Sequence, residues 1–155
     1  MGILRTDKIS GLETPTAVTG SVEFDGTGDS ISVSALLPTS TGTAFTVDMF
    51  WRSKSNSVQK CLWEQHDGGS GRTGYFVDGS NAFLISEGNT VGSFAYSDNV
   101  WYFTRVTYTA GGAIEVFVDG VSQGTGTQSV GVDNVDFVIG NRSGASESFN
   151  GYISN

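Results

Sequence analysis

The sequence predicts an all-β fold, two antiparallel sheets packed face to face as a β-sandwich. Three observations carry that expectation. Trp101 to Gly120, WYFTRVTYTAGGAIEVFVDG, alternates with a period of two on either side of Ala110-Gly111-Gly112, and such alternation in aromatic and β-branched residues marks strands. The 155 residues hold 22 glycines and only two prolines, Pro15 and Pro38, so glycine turns break the chain into short strands. No window carries the helical period of 3.6. The length is enough for one domain with a sizeable core.

Taken in order, residues 1–20 differ from the rest. They lack alternation and scatter Ile3, Leu4, Ile9 and Leu12 among charges. They are expected to be a leader or docking arm, because apolar side chains on a solvated arm gain from a partner. The sandwich is expected over 21–155. Ser21–Asp25 is a strand with Val22 and Phe24 inward, Gly26-Thr27-Gly28 a turn, and Asp29–Val33 the return strand with Ile31 and Val33 inward. Phe45–Ser53 is the longest clean alternation, with Phe45, Val47, Met49 and Trp51 on one face, and is expected to be central. Cys61–Gln65 follows, then the loop HDGGSGRTG. Tyr75–Asp78 and Ala82–Ser86 form a hairpin, Glu87-Gly88-Asn89 a turn, and Thr90–Tyr96 a strand. The Trp101–Gly120 hairpin ends at Asp119-Gly120, a pair suited to the positive φ angles of a type I′ turn. Val121–Thr125, Val135–Ile139 and Phe149–Ile153 complete the set. Trp51, Trp63 and Trp101 sit in alternating strands, which favours core packing for all three.

The net charge of -8 and pI near 4.3 argue against nucleic acid or an anionic membrane as partners. No stretch approaches transmembrane length, and Met1–Gly20 lacks the apolar segment of a signal peptide. Cys61 is the only cysteine and His66 the only histidine. That leaves no internal disulfide, no histidine-rich zinc site and no supported cysteine–histidine catalytic pair.

The motifs together resemble the laminin-G-like, concanavalin A-like jelly-roll domains. Phe24-Asp25-Gly26-Thr27-Gly28-Asp29 matches the opening strand and turn of that family. Trp101, Val106-Thr107-Tyr108, Gly111-Gly112 and Val118-Asp119-Gly120 match its diagnostic hairpin. Ile139-Gly140, and Phe149, Gly151 and Ile153, match its later strands. The resemblance spans 21–155 and implies a lectin-glucanase jelly roll. Only Ser154 and Asn155 follow Ile153, so the last strand is expected to be short or truncated. The family often places an acidic residue near a structural calcium at the position of Ser154. Calcium is the one cofactor left open, with Asp25 and Asp29 as metal candidates. A second resemblance joins Leu4–Gly11, LRTDKISG, to leaders of marine and cyanobacterial phage virion proteins.

Glycosidases of this fold carry their carboxylates two and four apart on one strand face, and retaining chemistry needs two of them close together. The nearest pairs are Glu23 with Asp25 and Glu115 with Asp119. Neither completes that triad, and the expectation is a non-enzymatic domain. Sugar binding uses aromatic platforms beside Asp, Asn and glycine-loop donors. The loops supply Asp67, Arg72, Asp78, Asn81, Asn141 and Arg142, with Tyr96, Trp101 and Tyr102 available for stacking. The resemblance implies a virion component, as tail fibre, appendage or capsid decoration, that aids recognition of host-surface glycans. It would be made in the host cytoplasm and displayed on the virion surface. Its partners would be other virion proteins, through Ile3, Leu4, Ile9 and Leu12, with a homo-oligomer also open. The alternative is a free-standing lectin module of a larger adhesin.

Overall fold

A computed structural model describes residues 20–142 and 147–154. The leader with Ile3, Leu4, Ile9 and Leu12 lies outside the described residues. Twelve strands form two six-stranded antiparallel sheets. The first sheet runs β1 (Val22–Asp25), β12 (Asn150–Ser154), β3 (Phe45–Ser53), β8 (Tyr102–Tyr108), β9 (Ala113–Val118), β10 (Val121–Thr127). The second runs β2 (Ile31–Val33), β11 (Phe137–Ile139), β4 (Lys60–Gln65), β5 (Thr73–Val77), β6 (Asn81–Ser86), β7 (Asn89–Ala95). This is the expected jelly-roll sandwich, with β3 in the interior of its sheet.

The core lies between the sheets. Alternation sends Trp51, Met49, Val106, Ile114 and Val116 inward from the first sheet, and Trp63, Tyr75, Val77 and Leu84 inward from the second. Trp51 and Trp63 are 0% and 1% exposed. Each such side chain contributes about 1.5–3 kcal/mol by leaving water. The indole N–H of Trp51 is satisfied inside this apolar layer by Thr104 Oγ1, at 2.7 Å. Trp63 stacks on Phe137, with ring centres 5.4 Å apart. All five residues of β5 are buried, as its position in the middle of a sheet requires.

Turn chemistry sets the hairpins. Asp119 and Gly120 both have positive φ, 49° and 80°, which matches the twist of β9 and β10. Gly140 also has positive φ, and a Cβ there would lie 2.0 Å from a ring carbon of Phe24. The Ile139-Gly140 pair is thus set by backbone conformation and by a core ring lying against it.

Two expectations are corrected. Gly26-Thr27-Gly28 does not join a hairpin: β1 pairs with β12, whereas β2 pairs with β11 in the other sheet. The turn carries the chain between layers. Both strands are sheet edges, so Val22 and Ile31 stay 49% and 39% exposed. Trp101 is not in the core. It lies just before β8, on the face turned away from the other sheet, and is half-buried there.

Candidate functional site

The loop residues singled out in the sequence fall into separate places. Asp78, Asn81 and Tyr96 gather at the β5–β6 turn. Asp78 Oδ1 accepts the N–H groups of Ser80 and Asn81, and Tyr96 donates its hydroxyl to the Asp78 carbonyl at 2.8 Å. Tyr96 also packs its ring edge-on to Trp51 at 5.4 Å, and burial raises its pKa. Tyr102 also packs against Trp51, at 5.1 Å. These two rings extend the core outward.

Arg72 and Arg142, 70 positions apart in the chain, come together around one carboxylate. Glu64 lies on β4 with 1% of its side chain exposed, and its Oε2 is 3.9 Å from Arg72 and 3.8 Å from Arg142. Arg142 also pairs with Glu147 at 3.0 Å, Arg72 lies over the Phe76 ring, and Asn141 Oδ1 accepts the Arg142 N–H. A buried carboxylate between two guanidiniums holds neighbouring segments together, since either cation compensates its burial.

Asp67 lies at the rim. Its Oδ1 accepts the Gly69 N–H in an Asx turn. Next to it Asp133 anchors the 66–71 loop by accepting N–H groups of Asp67 and Gly71 and contacting His66 Nδ1. Burial alone would raise the Asp133 pKa, but these hydrogen bonds hold it below the ordinary value. A cleft of about 430 Å3 opens beside this loop, lined by His66, Ser70, Arg72, Glu87 and Ser129 among others. The Glu87 carboxylate is engaged there by the N–H groups of Ser129 and Val130.

The outer face of the first sheet carries a different arrangement. Core side chains Trp51 and Ile153 point inward, so their neighbours Arg52 and Tyr152 point outward. Tyr152 is the cross-strand partner of Arg52, and Trp101 completes the row on the β8 side. The Arg52 guanidinium lies 4.6 Å from the Tyr152 ring centre and 5.4 Å from that of Trp101. Lys54 stands 4.9 Å from the same Tyr152 ring and pairs with Glu23. One position along, Phe50 and Phe103 pair at 4.9 Å, and beyond them Arg105 makes a bidentate pair with Asp48 at 2.7 and 2.8 Å. Trp101, Tyr152 and Arg52 are all half-buried. The sequence signal for this row was the Arg52-Trp101-Tyr152 set of outward positions. It is legible only once β12 is known to lie beside β3.

A family profile described as the concanavalin A-like lectin/glucanases superfamily matches residues 25–155. The chain belongs to that superfamily. Solved structures agree on the fold. Domains LG4-5 of the mouse laminin alpha1 chain share 15% identity at a TM-score of 0.67, over 88% of this chain and 39% of that one. Domain 4 of AbnA, an extracellular arabinanase of Geobacillus stearothermophilus solved with arabinotriose, shares 14% at 0.67, over 86% and 67%. The binding domain of botulinum neurotoxin serotype D shares 17% at 0.65, over 86% and 38%. The chain thus spans about two fifths of the laminin and neurotoxin chains. Comparison with curated protein sequences finds no match.

Members of the concanavalin A-like superfamily raise the question of calcium. Asp25 Oδ1 accepts from the N–H and hydroxyl of Thr27, and Asp29 Oδ2 accepts the Asp25 N–H. The Thr27 hydrogen bonds lower the Asp25 pKa. Both carboxylates are thereby engaged in shaping the turn. Among the described residues, His66, Asp67 and Asp133 bring potential ligand atoms within 4.8 Å of one another. That set does not fit calcium, which takes six to eight oxygen ligands. It offers an imidazole, and its carboxylates are already acceptors for loop amides. The carboxylates closest to a glucanase pattern are engaged too: Glu23 by Lys54, Glu115 by the Ser122 hydroxyl, and Asp119 by the Phe103 N–H.

Proposed function

We propose that this domain is a non-enzymatic, lectin-like module that binds glycans on the outer face of its first sheet. The reading is supported above all by the half-buried, outward-facing rings of Trp101 and Tyr152 on a lectin-type fold. A soluble domain gains nothing in its core from rings placed there, whereas the flat apolar face of a sugar ring stacks on such surfaces. Engagement of Glu23, Glu115 and Asp119 in structural contacts supports binding over hydrolysis.

We further propose display on a phage particle, as a tail-fibre, appendage or capsid-decorating component, on the strength of the leader Leu4–Gly11. The same face would serve a lectin module of a larger adhesin. The rim cleft beside Asp67 and Arg72 is a second place for a sugar, favoured by its volume of about 430 Å3.

A glycan array tests the reading. Wild type is expected to retain one or more oligosaccharides without releasing reducing ends. Trp101→Ala and Tyr152→Ala should each weaken retention by about tenfold or more, the loss expected on truncating a central anchor. Ser70→Tyr, which obstructs the cleft, should leave retention unchanged. The opposite pattern would move the site to the rim. Deleting Met1–Thr19 should abolish incorporation into particles, and unchanged incorporation would contradict the docking role.

A further inference from the structure

Arg52 stands apart from the other described arginines. Arg72, Arg105 and Arg142 each have a carboxylate within 4.0 Å. Arg52 has no carboxylate that close among the described residues; its Nε is buried without a hydrogen-bond partner, a feature it shares with Arg72. Its guanidinium instead lies over the rings of Trp101 and Tyr152. In a chain of net charge -8, carboxylates to neutralise an arginine are plentiful. Two other cations of the same face, Lys54 and Arg105, do have such partners, Glu23 and Asp48. Among the described residues one guanidinium is therefore left without a carboxylate, in the row of rings proposed to stack a sugar.

We propose that the Trp101–Arg52–Tyr152 row is a subsite for an acidic saccharide carrying a carboxylate on its ring. This rests on the glycan-binding reading and names the ligand class. The two rings orient the guanidinium, which limits its loss of side-chain freedom on binding. A guanidinium presents parallel N–H donors that match a carboxylate bidentately, a geometry that a lysine ammonium does not offer. The paired Lys54–Glu23 and Arg105–Asp48 flank the subsite without adding net charge. The isolated guanidinium favours a ligand whose carboxylate sits on a ring that the aromatic side chains can stack.

The test uses the full chain on an array carrying uronate and sialate oligosaccharides beside their methyl esters. Binding of an acid form, weakened about tenfold or more in its methyl ester and in Arg52→Gln, is the expected result. Arg52→Lys keeps the charge and loses the fork, and should also bind more weakly. Affinity should fall as salt rises. Thermal unfolding of each variant checks that it folds. Equal binding of acid and ester, with Arg52→Gln unaffected, would overturn the acidic assignment and leave the aromatic platform standing. Absence of binding to every oligosaccharide would overturn both. Self-association in light scattering that Arg52→Gln abolishes would overturn the proposal and assign the face to a second copy.

Discussion

Trp51 Nε1 and Thr104 Oγ1 lie 2.7 Å apart, and the hydroxyl accepts the only hydrogen bond the indole can donate. Both residues are buried, Thr104 at 2% exposure. Thr104→Val removes the acceptor at nearly constant volume and strands a buried donor. The expected cost is about 1–3 kcal/mol. Urea unfolding should show a lower midpoint at unchanged slope.

The two tryptophans of the first sheet separate core from surface. Trp51→Ala empties a fully buried site, and about 3–5 kcal/mol should be lost. Trp101→Ala removes a half-buried ring on the outer face and should cost far less, within about 1 kcal/mol of a typical surface change. Calorimetry of the two variants checks this. Equal losses would place Trp101 in the stability of the fold and remove it as a free platform.

Gly140→Ala meets two penalties at once: a positive φ and a Cβ 2.0 Å from the Phe24 ring. Strain of this kind and core overpacking each cost about 1–3 kcal/mol. A fall in melting temperature with loss of the near-ultraviolet signal is the expected outcome. Gly88, which also has positive φ but open space around it, should tolerate alanine better.

Asp133 predicts an acid-labile loop. Its pKa in the folded chain is held below the ordinary 3.8 by hydrogen bonds from the 66–71 loop. A carboxyl with a depressed folded pKa contributes stability that is present above its unfolded pKa and is lost as pH falls through the folded one. Amide exchange at Asp67 and Gly71, relative to the intrinsic rate at each pH, should therefore quicken below pH 3.8. In Asp133→Asn it should already be fast at neutral pH, with little further change on acidification.

Cys61 is completely buried, and burial pushes its thiol well above the ordinary range. It should resist thiol reagents in the folded protein and react in stoichiometric amount in guanidinium. Rapid labelling under native conditions would show that the sheet opens around β4.

Nearly all the strands were legible in the sequence, because alternation and glycine turns are local signals. The Asp119-Gly120 turn and the inward face of β3 followed directly. The partner of β1 did not, because β12 follows it by more than 120 residues and no local pattern encodes that pairing. The candidate site was hidden for the same reason. Trp101, Arg52 and Tyr152 come from three segments, and their row exists only through the β12–β3–β8 order. Alternation favoured the core for Trp101, because it could not tell which face of the strand looked outward. The loop residues carried polar chemistry that the fold uses on itself. Asp78 and Asp67 serve turns, and Arg72 and Arg142 clamp Glu64.

The most direct measurement is a heteronuclear titration of the labelled chain with the oligosaccharide retained most strongly on the array. Shifts at the Trp101 indole N–H and the Arg52 side chain, saturating together and absent in Trp101→Ala, are the predicted result. Shifts confined to Ser70, Glu87 and Ser129, with the Trp101 indole unmoved, would contradict the account.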